Sequence, residues 1–213
     1  MVRWSLLGAV LFAATATVAS AQEWELGVLG GFGYSPSLTV KNATTSASTG
    51  VKNGAAIGFY AGEEMYRYFS GEATYLFRTG DLKLESGATK FSFGTHTHLI
   101  TGDFLAHLRP RGARFRPFIS FGGGIEILQG TGEESANPPL KTLAALTATR
   151  EVLPVGEAGV GVKYQISKHL RLRVQARDYI SQAPHDVIAP VPGATLSGIR
   201  NDIIATGAIA LTW

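Results

Sequence analysis

The chain has 213 residues, a formal net charge of +3, no Cys, 26 Gly and 45% hydrophobic residues. Its mean hydropathy of +0.12 is too low for a bundle of membrane helices, and its apolar content is too high for a disordered chain. So small a charge gives no footing for nucleic acid. The lack of Cys excludes disulfides, Cys-ligated metals and a lipid-modified N-terminal Cys.

The first residues carry Arg3, an apolar run from Leu6 to Val18 and then Ala19-Ser20-Ala21. This pattern is a secretory signal cut before Gln22, and its apolar run is short for a membrane anchor. The chain therefore divides into a signal peptide, 1–21, and one mature domain, 22–213. No later stretch is long and apolar enough for a membrane helix.

The mature chain opens on a period of two. Trp24, Leu26, Val28, Gly30, Phe32 and Tyr34 share one face, against Glu25, Gly27, Leu29, Gly31 and Gly33. That is a strand with an apolar face bracketed by aromatics. Its Gly-rich side suits a narrow interior in which small residues make room for large ones opposite. A polar run to Gly50 reads as a loop. Ala55, Ile57, Phe59 and Ala61 form the next apolar face, and after the turn 63–68 so do Phe69, Gly71, Ala73, Tyr75 and Phe77. Thr79 to Thr89 reads as another polar loop. The fourth segment changes parity between Phe91/Phe93 and Ile100/Phe104/Leu108; either a β-bulge near 94–98 shifts the register, or its first part belongs to the loop.

A basic turn, Arg109 to Arg114, leads to a fifth strand with Pro117, Ile119, Phe121, Ile125 and Ile127 on one face. The stretch 129–151 is long, and Leu140, Leu143 and Leu146 within it suggest one or two turns of helix on a rim. Ala158, Val160, Val162, Tyr164 and Ile166 make the sixth face; after the tight turn 167–169, Leu170, Leu172, Val174 and Ala176 make the seventh. A Pro-rich loop, 181–197, precedes the closing strand. There Ile203, Ala205, Gly207, Ile209, Leu211 and Trp213 alternate with Asp202, Ile204, Thr206, Ala208, Ala210 and Thr212.

The reading gives eight strands whose connections alternate long and short: 35–51, 63–68, 79–89, 109–115, 129–151, 167–169 and 181–199. A membrane barrel has long extracellular loops and short periplasmic turns, whereas a Greek-key sandwich has no reason to alternate so regularly. The expected fold is all-β, an eight-stranded antiparallel up-and-down transmembrane β-barrel. Trp24 and Trp213 should then meet at one interface on neighbouring strands, with Tyr34 and Tyr164 as further interface aromatics.

Charge sorts onto the faces opposite the apolar ones: Glu25, Glu72, Glu126, Glu157, Lys163, Arg171, Arg173 and Arg177, with Arg78 and Arg116 at strand ends. A cation on the lipid face at the midplane costs roughly 2–4 kcal/mol, so this face must point inward. Eight strands leave an interior that side chains just fill. Acids and bases forced into it should pair, with Arg171, Arg173 and Arg177 as a basic wall. Arg78 and Arg116 are expected in water at the mouths, paired with nothing.

Gly207, Ile209, Leu211 and Trp213 resemble the C-terminal signal of bacterial outer-membrane β-barrel proteins, and the layout is similar to the small porin-like barrels of the OmpA-transmembrane-domain type. That resemblance implies insertion by the barrel-assembly machinery, a bed of outer-membrane lipids, a monomer, and a role in envelope structure or surface contact through the long loops. No appended periplasmic domain is expected after Trp213.

Sites for chemistry are sparse. His96 and His98 share a face but lack a third metal ligand. His185-Asp186 and scattered Ser residues have nothing to group them into a catalytic triad. The runs at Gly30 and Gly122 lie inside strands and are not phosphate loops. No cofactor is expected. A non-enzymatic barrel leads; a narrow channel, an outer-leaflet lipid-modifying enzyme and a secreted lipocalin-like barrel with an apolar interior remain as alternatives.

Overall fold

The computed structural model describes residues 23–134 and 138–213; the signal segment lies outside them. In chain order the strands are β1 (Glu23–Tyr34), β2 (Leu38–Lys41), β3 (Ser46–Val51), β4 (Gly54–Glu64), β5 (Phe69–Thr79), β6 (Leu82–Ser86), β7 (Thr89–Phe93), β8 (Thr95–His107), β9 (Phe115–Gly130), β10 (Ala144–Leu146), β11 (Arg150–Gln165), β12 (Leu170–Gln182), β13 (Ile188–Pro190), β14 (Thr195–Ser197) and β15 (Ile199–Thr212). Eight of them close into an antiparallel barrel in the order β1-β15-β12-β11-β9-β8-β5-β4. The seam between first and last strands is held in register from Glu25 opposite Thr212 to Tyr34 opposite Ile203. At its lower end Trp24 and Trp213 exchange backbone hydrogen bonds of 3.0 and 3.2 Å.

The pleat sends alternate residues to opposite faces, and the apolar set faces out. Val28, Ile57, Val160, Phe121 and Ile209 are each more than half exposed, while Glu157 and Arg173 are buried. A soluble protein does not expose so continuous an apolar belt; a barrel in hydrocarbon must. No described helix is long and apolar enough to cross a membrane.

Strands β9 and β11 run to 16 residues each, beyond the roughly 9–11 that a tilted strand needs to span. Their upper ends carry a second structure. β14-β2-β3-β6-β7 form a five-stranded sheet and β10-β13 a two-stranded one. Leu38, Val40, Val51, Leu82, Leu84 and Phe93 pack with Leu128, Leu143, Leu153, Val187 and Leu196 in one buried apolar cluster. The regions expected as polar loops are therefore a folded cap. Leu-x-Val at 38–40 and Leu-x-Leu at 82–84 each bury two side chains on one face of a short strand.

Two further expectations change. Phe91 and Phe93 belong to the cap strand β7, and β8 pairs with β9 without a break from Thr95–Gly130 to His107–Phe118, so the fourth barrel strand has no bulge. The first part of that segment thus belongs to the connection and not to the barrel strand, but it is the paired strand β7 and not a loop. No helix forms over 139–149: Leu140 takes a positive φ of 63°, and Ala144–Leu146 instead pairs with Ile188–Pro190. Leu143 and Leu146 still pack on the rim, but as part of the cap core.

Candidate functional site

The lumen is the most specific chemical feature of the molecule. All eight residues expected to charge it, Glu25, Glu72, Glu126, Glu157, Lys163, Arg171, Arg173 and Arg177, are buried inside the barrel. They fall into three tiers. In the lower tier Lys163 and Arg171 donate to Glu25 at 2.8 and 2.7 Å, and the Tyr60 hydroxyl donates to the same carboxylate. In the middle tier Arg173 grips Glu72 with two hydrogen bonds of 2.6 and 3.0 Å. Arg177 bridges Glu72, Asp103 at 2.7 Å and Glu157 at 3.5 Å, and Ser120 donates to Glu157 at 2.8 Å. In the upper tier Arg200 joins Glu126 to Asp202.

Among the described residues, six of the fourteen charged ones in the lumen lie outside that expected set: Glu64, Arg78, Asp103, Arg116, Arg200 and Asp202. Glu64 falls in the expected turn 63–68, but β4 extends to it, and it accepts from Arg116 at 2.8 Å and Lys163 at 3.3 Å. Arg200 falls between the expected connection 181–199 and the expected closing strand, but β15 begins at Ile199 and carries it inward. Asp103 has the inward parity of Leu99 and Leu105, a signal hidden by the doubtful register. The mouth assignment of Arg78 and Arg116 is wrong: both are buried, and Arg78 pairs with Asp202 at 2.8 Å. Arg78 lies at the cap end, where it also donates to Lys52 O at 3.1 Å, while Arg116, at the opposite end, is drawn inward by Glu64 at the last position of β4. Among the described residues seven lumen cations (Arg78, Arg116, Lys163, Arg171, Arg173, Arg177, Arg200) thus meet seven carboxylates (Glu25, Glu64, Glu72, Asp103, Glu126, Glu157, Asp202).

Two rings complete the filling. The Arg173 guanidinium lies between Tyr60 and Phe118, 4.6 and 4.7 Å from their centroids. Both rings fit because glycine stands directly across the strand: Gly27 opposite Tyr60 and Gly161 opposite Phe118. A Cβ at either glycine would run into the ring. Small and large side chains alternate around the wall, as a narrow barrel requires.

Trp24, Tyr34, Tyr164 and Trp213 all face outward and are exposed. Gly207, Ile209 and Leu211 face outward with them, opposite Gly30, Val28 and Leu26 of β1. His96 and His98 lie on the outer face against Phe77, and His98 also meets the Tyr75 hydroxyl at 2.9 Å. No three His, Cys, Asp or Glu residues are grouped for a metal among the described residues.

One serine does meet a histidine. Ser70 Oγ lies 2.8 Å from His107 Nε2, but Glu64 approaches that same nitrogen, at 3.9 Å. A triad needs the carboxylate on the other ring nitrogen, and His107 Nδ1 has no partner. His185 serves through its backbone: its N–H and those of Asp186 and Val187 donate to Glu151, which ties the last long connection down.

No protein-family model matches the sequence, and no curated protein matches it. Solved structures do. The crystal structure of neisserial surface protein A aligns with a TM-score of 0.53 at 8% identity, over 88% of this chain and 95% of that one. The outer membrane protein OprG from Pseudomonas aeruginosa aligns with a TM-score of 0.53 at 10% identity, over 89% and 95%. Identities this low speak to architecture and not to activity. With its closed ring of eight strands, apolar exterior and charged interior, the chain has the fold of the small bacterial outer-membrane β-barrel proteins.

Proposed function

We propose that this chain is a non-enzymatic, non-conducting barrel of the cell outer membrane, acting in envelope structure or surface contact through its folded extracellular cap. The observation that carries this reading is the filled lumen: a balanced set of buried ion pairs with Tyr60, Arg173 and Phe118 stacked across it. A channel needs a continuous wet path, and opening one here would strip paired charges of their partners at several kcal/mol each, in order of magnitude. A hydrolase needs an activated nucleophile within reach of substrate, and the Ser70–His107 contact is buried and lacks its orienting carboxylate.

The cap turns a hydroxyl- and amine-bearing face outward, with Thr39, Lys41, Ser46, Lys90 and Ser92 exposed. That face is the surface offered to a partner. In this reading outer-membrane lipids surround the belt, the protein is a monomer exported by residues 1–21, and Gly207, Ile209, Leu211 and Trp213 are read by the barrel-assembly machinery during insertion.

Planar-bilayer recording of the refolded full chain tests the reading. The expected result is a baseline indistinguishable from bare bilayer. Regular unitary steps would overturn it in favour of a narrow channel.

A further inference from the structure

The lumen is balanced, and so is the cap, where Lys41, Lys52, Lys83, Lys90, Lys141 and Arg150 meet an equal number of acids. The positive charge of the mature chain therefore resides on the rim of the short turns. Arg67, Arg109, Arg111, Arg114 and Lys168 are exposed there, against only Glu23 and Glu63. Glu23 is itself occupied by Arg111 at 3.2 Å and Arg171 at 2.7 Å. Among the described residues no carboxylate lies within ion-pair distance of Arg67, Arg109 or Arg114.

Those three arginines are not dangling ends. Arg67 lies over the Tyr68 ring at 5.6 Å, Arg109 over Phe115 at 6.0 Å and Arg114 over Tyr164 at 5.2 Å. Tyr68, Phe115 and Tyr164 are exposed aromatics at the lower edge of the apolar belt, the level at which rings mark the headgroup layer. Stacking on them favours that height for each guanidinium. The turns that carry them are also tied together: Arg111 N–H donates to Arg67 O at 2.7 Å, and Gln165 N–H to Arg114 O at 2.8 Å.

We propose that Arg67, Arg109 and Arg114 form an arc that binds the phosphates of anionic glycerophospholipids in the periplasmic leaflet. Guanidinium groups match phosphate oxygens in a two-pronged geometry, and their height in the belt presents them to headgroups rather than to a polymer beyond the membrane. The proposal rests on the membrane reading of the fold, with the short turns toward the periplasm.

The test uses the refolded full chain in phosphatidylcholine vesicles, with spin-labelled phosphatidylglycerol or spin-labelled phosphatidylcholine as probe. The motionally restricted fraction gives the relative association of each lipid. The wild type should favour phosphatidylglycerol, with the preference shrinking as salt rises. The triple variant Arg67→Gln/Arg109→Gln/Arg114→Gln should lose it by on the order of fivefold per arginine. Triple replacement by Lys should keep most of it, and Lys41→Gln/Lys90→Gln on the cap should leave it unchanged. Equal association of the two probes with the wild type would overturn the proposal. So would an undiminished preference in the Gln variant, or loss of that variant's co-sedimentation with peptidoglycan while its lipid preference stays intact. Heat-modifiable migration on a gel reports the barrel itself; if the wild type lacks it, the membrane reading fails instead. Should the Gln variant not fold, the Lys variant and the salt series on the wild type decide.

Discussion

Arg173 concentrates the physics of the interior. It is fully buried, grips Glu72 with both terminal nitrogens and is sandwiched by two rings. Burying a charge is unfavourable until every partner is in place, and removing one partner leaves the other stranded. Arg173→Met should therefore destabilise the barrel by about 3–5 kcal/mol, read as a lower urea midpoint for the refolded protein. Glu72→Gln alone should also destabilise, since it removes charge from both Arg173 and Arg177. The double variant should cost less than the sum of the singles, with a coupling of about 1–3 kcal/mol. Arg177 in that background keeps Asp103 and Glu157. Strict additivity would mean that the pair does not act as a unit. The sequence already put Arg173 on the charged side of its strand. It could not say which carboxylate would meet it, because Glu72 and Arg173 are 101 residues apart and a strand's own pattern carries no information about what lies across the lumen.

At the scale of elements, the barrel strands were legible and the cap strands were not, for one reason. Each barrel strand lies between lipid and a polar lumen, so its two faces differ sharply over a long run, and β15 shows this over 14 residues. The cap strands are 3–6 residues long, too short for alternation to stand out from a Ser- and Thr-rich background. Their pairings are also remote, as with Thr195 opposite Lys41. Strand ends are blurred in the same way: Glu64 is the last residue of β4 and Arg200 the second of β15, and each is paired across the sheet with a residue remote in sequence, Glu23 and Ser181. The cap nonetheless has a core of its own, and Leu84 is fully buried in it. Leu84→Asp places a charge there without a partner. Limited proteolysis should then cut within 35–53 or 79–94 while the remaining barrel keeps its heat-modifiable migration. Equal protease resistance in wild type and variant would mean that the cap core does not hold these segments.

At the scale of the whole molecule, three environments hold nearly all of the chain's charge: a neutral interior, a neutral cap and a cationic lower rim, with a belt between the last two whose one charged residue among the described residues, Asp178, accepts from Asn201 at 2.7 Å. Only a bilayer gives that partition a single cause, because hydrocarbon penalises charge by depth whereas water does not. Depth is therefore the quantity to vary. Val160 sits outward in the middle of the spanning part of β11, and Ile166 lies just past its lower end, beside the girdle at Tyr164. Both are exposed, so neither substitution disturbs the packed interior. In lipid, Val160→Arg should cost roughly 2–4 kcal/mol and Ile166→Arg no more than about 1 kcal/mol. The difference should be read by reversible refolding into vesicles. Were the belt in contact with water, the two substitutions would cost nearly the same, since a surface arginine on an exposed strand face changes stability by only a few tenths of a kcal/mol in either place. A gap between the two sites that closes in detergent micelles and opens in bilayers would locate the hydrocarbon against Val160. Equal costs in bilayers would remove the ground for reading the apolar face as a membrane surface, whatever the number of strands in the ring.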